Sequence, residues 1–162
     1  MFGIGDRIVY PMYGAGEIEN IEEKSIEGAL ERYYVINIPN GNLKIRISIK
    51  KADILGLRAV CKKDAVFSIM ETIAEKPVMA PDNWNQRYKE NMGKIKTGRL
   101  MDVAEVVRNL LLRESEKGLS GAEKKMLNNA KQIVLSEIAY AQGIEKDKAE
   151  ELMSRTLFAN FK

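Results

Sequence analysis

The alternation of apolar and polar residues changes its period near residue 60. Before that point short β-rich runs alternate with turn residues. Residues 7–10 read RIVY, and residues 17–22 bring Ile18 and Ile21 inward. Residues 33–38 read YYVINI and stop at Pro39-Asn40-Gly41. Asn40-Gly41 tolerates positive φ and predicts a hairpin turn. Leu43, Ile45, Ile47 and Ile49 then alternate with Lys44, Arg46, Ser48 and Lys50, the pattern of a half-buried strand. Tyr13-Gly14-Ala15-Gly16 reads as a tight connection between the first two strands, and residues 24–28 as a hairpin turn. About five strands in so short a stretch predict a small, strongly bent sheet or barrel of the Tudor or SH3-like kind.

After Leu57 the period becomes helical. Residues 63–74 place Val66, Phe67, Met70 and Ile73 on one face, and Pro77 and Pro81 bracket a break. Asp82 can cap a helix running to about residue 96, punctuated by Gly98. Residues 99–116 carry the stripe Leu100, Val103, Val107, Leu110 and Leu111, stopped by Gly118. Ser120-x-x-Glu123 is a capping-box signature. It opens a helix with Met126, Leu127, Ala130, Ile133, Val134 and Ile138 inward, ended by Gly143, and a last helix spans residues 145–159. The fold class is therefore α+β, a β domain over residues 1–58 followed by an all-α bundle over residues 59–162.

Composition narrows the function. With 45% hydrophobic and 30% charged residues the chain can bury a core and stay in solution. It has no run of membrane-span length and no secretory leader pattern. Cys61 is its one cysteine, which excludes an intrachain disulfide and suits a reducing cytoplasm. The absence of histidine removes His-based acid–base and nucleophilic chemistry and nearly all zinc sites. No phosphate-binding glycine motif or D-x-D pair is present. These absences point to a binding protein that uses no cofactor, metal or small-molecule substrate, and not to an enzyme. The charge is uneven: residues 1–59 balance, and the whole surplus of +3 lies in residues 60–162.

The basic residues concentrate in NWNQRYKENMGKIKTG, residues 83–98. This stretch holds the one Trp, Trp84, with Arg87, Lys89, Lys94 and Lys96, and Glu90 is its one acid. A large flat side chain beside a cationic helical face suits nucleic acid: the cations hold phosphates and the ring stacks on a base or wedges between base steps. The bland alternative is a core Trp beside a solvated face. Lys124 and Lys125 stand in the first turns of a helix, where cations oppose the dipole and a phosphate would use them. In the β domain Lys44, Arg46 and Ser48 face away from the apolar side of their strand, an edge that a partner strand can extend. Ile26, in the turn beside Lys24, is a candidate protein contact.

Taken together these segments resemble the CarD/CdnL family of bacterial transcription regulators. The resemblance rests on GDRIVYPMYGAGEIENIE, on NGNLKIRISI, and most specifically on WNQRYKENMGKIKTG followed by VAEVVRNL and KGLSGAEKKML, and it covers nearly the whole chain. It implies a Tudor-like N-terminal domain that binds the RNA polymerase β subunit through Lys24, Ile26 and Arg46. It also implies a helical C-terminal domain that touches promoter DNA at the upstream edge of the bubble, with Trp84 as the wedge and Lys89 and Lys124 as backbone contacts; Arg87, from the basic stretch, is a further candidate DNA-binding residue. A monomer in the cytoplasm, held on the nucleoid through polymerase, is the implied state. Position 24 is Lys where relatives often carry Arg, and position 86 is Gln where some carry Arg. Two other readings fit the same residues: an RNA- or ribosome-associated protein with a Tudor/KOW-like module, and a β-module adaptor for another protein with Trp84 in the core.

Overall fold

The structure is a computed structural model that describes residues 1–78 and 80–158. Five antiparallel strands, β1 (Arg7–Tyr10), β2 (Gly14–Ile26), β3 (Ala29–Ile38), β4 (Leu43–Ser48) and β5 (Arg58–Ala59), form one sheet in the order β4-β3-β2-β1-β5. Five helices follow: α1 (Lys63–Glu75), α2 (Trp84–Thr97), α3 (Leu100–Glu116), α4 (Gly121–Gln142) and α5 (Lys146–Leu157). The chain is α+β, a β-sheet followed by helices, as the change of period predicts. The end expected for the last helix, Ala159, lies outside the described residues.

One face of the sheet carries its own core of Ile8, Ile18, Tyr34, Ile36, Ile38 and Ile47. Ile18 and Ile21 reach this side together although three residues apart. The register slips between Ile18 and Asn20, so Glu19 is an extra residue that turns the strand by one step. β2 and β3 run beyond their neighbours: β1 pairs only with residues 14–17 and β4 only with residues 33–38. Their far ends form a two-stranded arm closed by Glu27-Gly28, both at positive φ (51° and 80°), a two-residue hairpin turn shorter than the one expected over residues 24–28. At the other hairpin the positive φ values fall on Gly41 and Asn42, one residue later than the Asn40-Gly41 pair predicts, because four residues separate Ile38 from Leu43.

Gly14-Ala15-Gly16 is strand and not connection; the turn is Pro11-Met12-Tyr13. The glycines answer a different need. A Cβ on Gly14 would lie 2.9 Å from Ser136 Oγ of α4, and one on Gly16 would lie 2.2 Å from the Asn37 carbonyl oxygen. Small residues here let α4 lie directly on β2, where the Ala15 amide donates to Ser136 Oγ at 3.0 Å. Phe67 departs from the helical stripe and is exposed, leaving Val66, Met70, Ile73 and Ala74 as the buried face of α1. The bundle core draws on all five helices, with Val103, Val107, Leu110, Val134, Ile138 and Met153 at its centre.

A partly buried ion pair ties sheet to bundle. Arg58 of β5 grips both carboxylate oxygens of Glu137 on α4 through Nη2 and Nη1, at 2.6 and 2.7 Å, and its Nη2 and Nε reach the Gly98 carbonyl at 2.7 and 3.1 Å. The Cys61 amide donates to the same carboxylate at 2.9 Å. Arg7 adds a hydrogen bond to the Tyr140 carbonyl at 2.8 Å.

Candidate functional site

The helix carrying Trp84 starts where the Pro81 break ends. Asn83, not Asp82, caps it: the Asn83 side chain accepts the Gln86 amide at 3.0 Å, satisfying one of the free N–H groups of the first turn. Ser120 caps α4 in the same way by accepting the Glu123 amide at 3.2 Å. The fold brings these two capped ends together. Trp84 Nε1 donates to Ser120 Oγ at 2.7 Å, and the indole stacks on Tyr88 with ring centres 5.6 Å apart and planes 26° from parallel. With 41% of its surface exposed, Trp84 is neither core nor free.

Arg87 sits differently from the surface contact that its place in the basic stretch suggests. It is 4% exposed, and all three of its guanidinium nitrogens donate: to both oxygens of Glu123 at 2.7 and 2.9 Å, and to the carbonyls of Pro81 and Asp82 at 3.1 and 3.2 Å. The physical reason is helical phase. Arg87 shares the inward face of α2 with Asn91 and Ile95, and its planar fork finds a carboxylate that the capping box of α4 already holds. The structure thus spends four of the five N–H donors of Arg87 on joining α2 to α4, on a side chain turned inward and not toward a phosphate. Glu123 is itself 1% exposed, and the hydrogen bonds from Arg87 hold its carboxyl below the usual carboxylate range.

Lys89 lies about 200° around α2 from Arg87 and is exposed. Lys124 is exposed in the first turn of α4, immediately after Glu123. Among the described residues neither lysine makes an ion pair. Lys94, by contrast, is drawn onto Glu105 of α3 at 3.2 Å together with Lys76. The end of the bundle where α2 and α4 begin therefore presents a half-exposed indole with uncommitted cations on both helices, while Arg87 is buried and Lys94 is paired with Glu105. Sequence reasoning marked Ser120 and Glu123 as a cap but not as supports of Trp84 and Arg87. No local signal carries that link, because the partners are 36 residues apart in sequence.

The second surface lies on the sheet. Strand register places Glu22 opposite Tyr33, Lys24 opposite Glu31, Ile26 opposite Ala29, and Arg46 opposite Val35. Side chains alternate along each strand, so Lys24, Ile26 and Arg46 share the face turned away from the sheet core. Ile26 and Arg46 line one shallow groove of about 650 Å³ with Tyr10, Tyr33, Ile47 and Leu55; Lys24, two residues before Ile26 on the arm, does not line it. Arg46 donates to Glu22 at 3.0 Å and holds that carboxyl below its usual range. Ile26 and Leu55 are large exposed apolar residues, and β4 is an edge strand with an open backbone. This face combines a cation, apolar anchors and a strand edge, the elements of a protein-docking surface. Among the described residues no helix is long and apolar enough to cross a membrane.

Comparison with known proteins separates the same two parts. Residues 2–61 match the CarD-like/TRCF RID domain, and residues 68–154 match the CarD C-terminal domain. The chain is similar to a Bacillus subtilis (strain 168) protein named "Putative transcription factor YdeB", with 44% identity over 146 residues, covering 89% of this chain and 94% of that protein.

Proposed function

Because the chain belongs to the CarD family and is a non-enzymatic transcription regulator, we propose that it binds the RNA polymerase β subunit through Lys24, Ile26 and Arg46. In this reading it stabilises the promoter open complex by setting Trp84 against the upstream edge of the bubble. The observation that carries this reading is the half-exposed indole of Trp84, held where α2 and α4 begin, with the exposed lysines Lys89 and Lys124 on those same two helices. The cations hold backbone phosphates and the ring meets bases that have lost their stacking partners. Melted DNA offers such bases and closed duplex does not. The ring therefore binds the two states unequally, and a ligand shifts an equilibrium only by such a difference. Weak DNA contacts suffice because the sheet, bound to polymerase, keeps the bundle at high effective concentration near the fork. That is consistent with a net charge of only +3.

Trp84→Ala tests the reading. Loss of one base–aromatic stack costs about 1–3 kcal/mol, and each 1.36 kcal/mol is about tenfold in rate. Promoter complexes challenged with competitor should dissociate about one to two orders of magnitude faster at the upper end, and Trp84→Phe should restore part of the lifetime. A Trp84→Ala protein that melts far lower yet stabilises complexes normally would make Trp84 a core residue instead.

The polymerase contact has its own test. Arg46→Glu would set two carboxylates side by side, because Glu22 is the present partner of Arg46. Arg46→Ala isolates the outward role. An exposed, solvent-screened pair of this kind adds little to folding, so the melting temperature should hardly move. Retention of polymerase β subunit in a pull-down should fall at least tenfold, and unchanged retention by a folded Arg46→Ala protein would reject this face as the contact.

A further inference from the structure

Trp84 would not hold its orientation without help. A Trp at the first position of a helix, with 41% of its surface in solvent, has several rotamers open to it. Here two features remove that freedom. Tyr88, one turn on, covers one face of the ring, and the Ser120 hydroxyl anchors its N–H edge from another helix. Ser120 Oγ is itself completely committed. Its two lone pairs accept the Trp84 indole N–H at 2.7 Å and the Glu123 amide at 3.2 Å, and its proton goes to Glu123 Oε1 at 3.2 Å. A hydroxyl offers one donor and two acceptor sites, so none remains for water. Glu123 is fixed in turn by the Arg87 fork, 2.7 and 2.9 Å away, in a pair of which 4% and 1% are exposed. A relay runs from the interior outward: Arg87 holds Glu123, Glu123 holds the Ser120 hydroxyl, and Ser120 holds the indole.

We infer that Ser120 is the positioning residue for Trp84, presenting the ring to nucleic acid in one fixed orientation, with the buried Arg87–Glu123 pair as its support. This deepens the proposed function and rests on it for the DNA step. Ordering a side chain at an interface opposes binding, and an indole ordered beforehand avoids that cost. The arrangement also gives Arg87 a role at the DNA end of the bundle without touching DNA: it acts through the cap of α4.

The test uses the full chain and exploits the single Trp, which makes emission report on position 84 alone. Ser120→Ala removes both the cap and the indole acceptor. Ser120→Gly also deletes the hydroxyl, but glycine is nearly as good an N-cap as serine, so this variant keeps the helix start. Ser120→Thr keeps the hydroxyl. In the protein alone, Ser120→Gly and Ser120→Ala should raise acrylamide quenching of Trp84 and its fluorescence depolarisation, and Ser120→Thr should match the wild type. In promoter complexes with polymerase, Ser120→Gly should shorten the open-complex lifetime by about two- to tenfold, the span of one net hydrogen bond. In the Trp84→Phe background, which has no indole N–H, the same Ser120→Gly change should have no further effect. The inference is overturned if Ser120→Gly leaves quenching and depolarisation unchanged, or if it shortens the lifetime equally with Phe at position 84. The proposed function fails separately: if Trp84→Ala leaves the lifetime unchanged, the indole does not act at the fork, and the fluorescence arm still decides whether Ser120 fixes it.

Discussion

Arg87→Ala should destabilise the protein by about 3–5 kcal/mol, the cost of removing one member of a buried ion pair and leaving the other charge uncompensated. For a chain of this size that lowers the melting temperature by roughly 10 °C. Lys89→Ala, two residues away and exposed, should stay within about 0.5 kcal/mol of wild type. The same pair fixes a pH dependence. Glu123 is held below its ordinary range by Arg87, so its folded value lies under its unfolded value of about 4.3. Its contribution is complete above that value and is lost as the pH falls through the folded one. Wild-type stability should therefore decline below about pH 4, and Arg87→Ala should show a shallower acid limb, having already lost what protonation removes. The measurement is a set of thermal melts between pH 2.5 and pH 7, buffer values chosen to bracket about 4.3. A folded Arg87→Ala protein with wild-type stability and weaker DNA binding would return Arg87 to the surface role its sequence neighbourhood suggests.

Arg87 also shows where a sequence stops being legible. A basic stretch tells which residues carry charge but not which turn inward, and two residues, about half a helix turn, separate an internal arginine from an exposed lysine. Periodicity could have warned of this: Arg87, Asn91 and Ile95 recur at four-residue steps and form the buried side of α2. The change of period near residue 60, the first four strands and the capping box of Ser120 were all legible, because each is set by residues close together in the chain, whereas the two-residue β5 after Leu57 carried no alternation to read. The glycines at 14 and 16 were visible but misread as a turn. Their reason lies in Ser136 and in the Asn37 carbonyl, far along the chain. The bulge at Glu19 was hinted at by the three-residue spacing of Ile18 and Ile21, which a regular strand would put on opposite faces. The Trp84–Ser120 contact and the Arg58–Glu137 pair gave no local sign at all, since each joins segments that meet only when the helices pack.

The Arg58–Glu137 pair carries the second large effect, because it decides whether sheet and bundle act as one body. Glu137 is 2% exposed and serves the Arg58 guanidinium and the Cys61 amide at once. In Glu137→Ala the guanidinium keeps carbonyl partners and part of its solvent contact but loses its counter-charge, a change of about 1–3 kcal/mol. The two hydrophobic cores are separate, so the loss should fall on the docking of α4 against β2 more than on either core. Cys61 reports on this. Its thiol is pushed up to about 11, first by burial and then by the Glu137 carboxylate. Thiolate is the reactive form, so a disulfide reagent at pH 8 should label the wild type slowly. Glu137→Ala should be labelled at least tenfold faster under native conditions, because both causes are relieved. Function should divide in the same way. The sheet face of Lys24, Ile26 and Arg46 does not use Glu137, so binding to polymerase should persist. Open-complex stabilisation should drop, because a tether raises effective concentration only where its geometry lets both ends engage. If Glu137→Ala is labelled fast and still stabilises complexes like wild type, the orientation set by this pair is not what delivers Trp84 to the fork, and a flexible connection suffices.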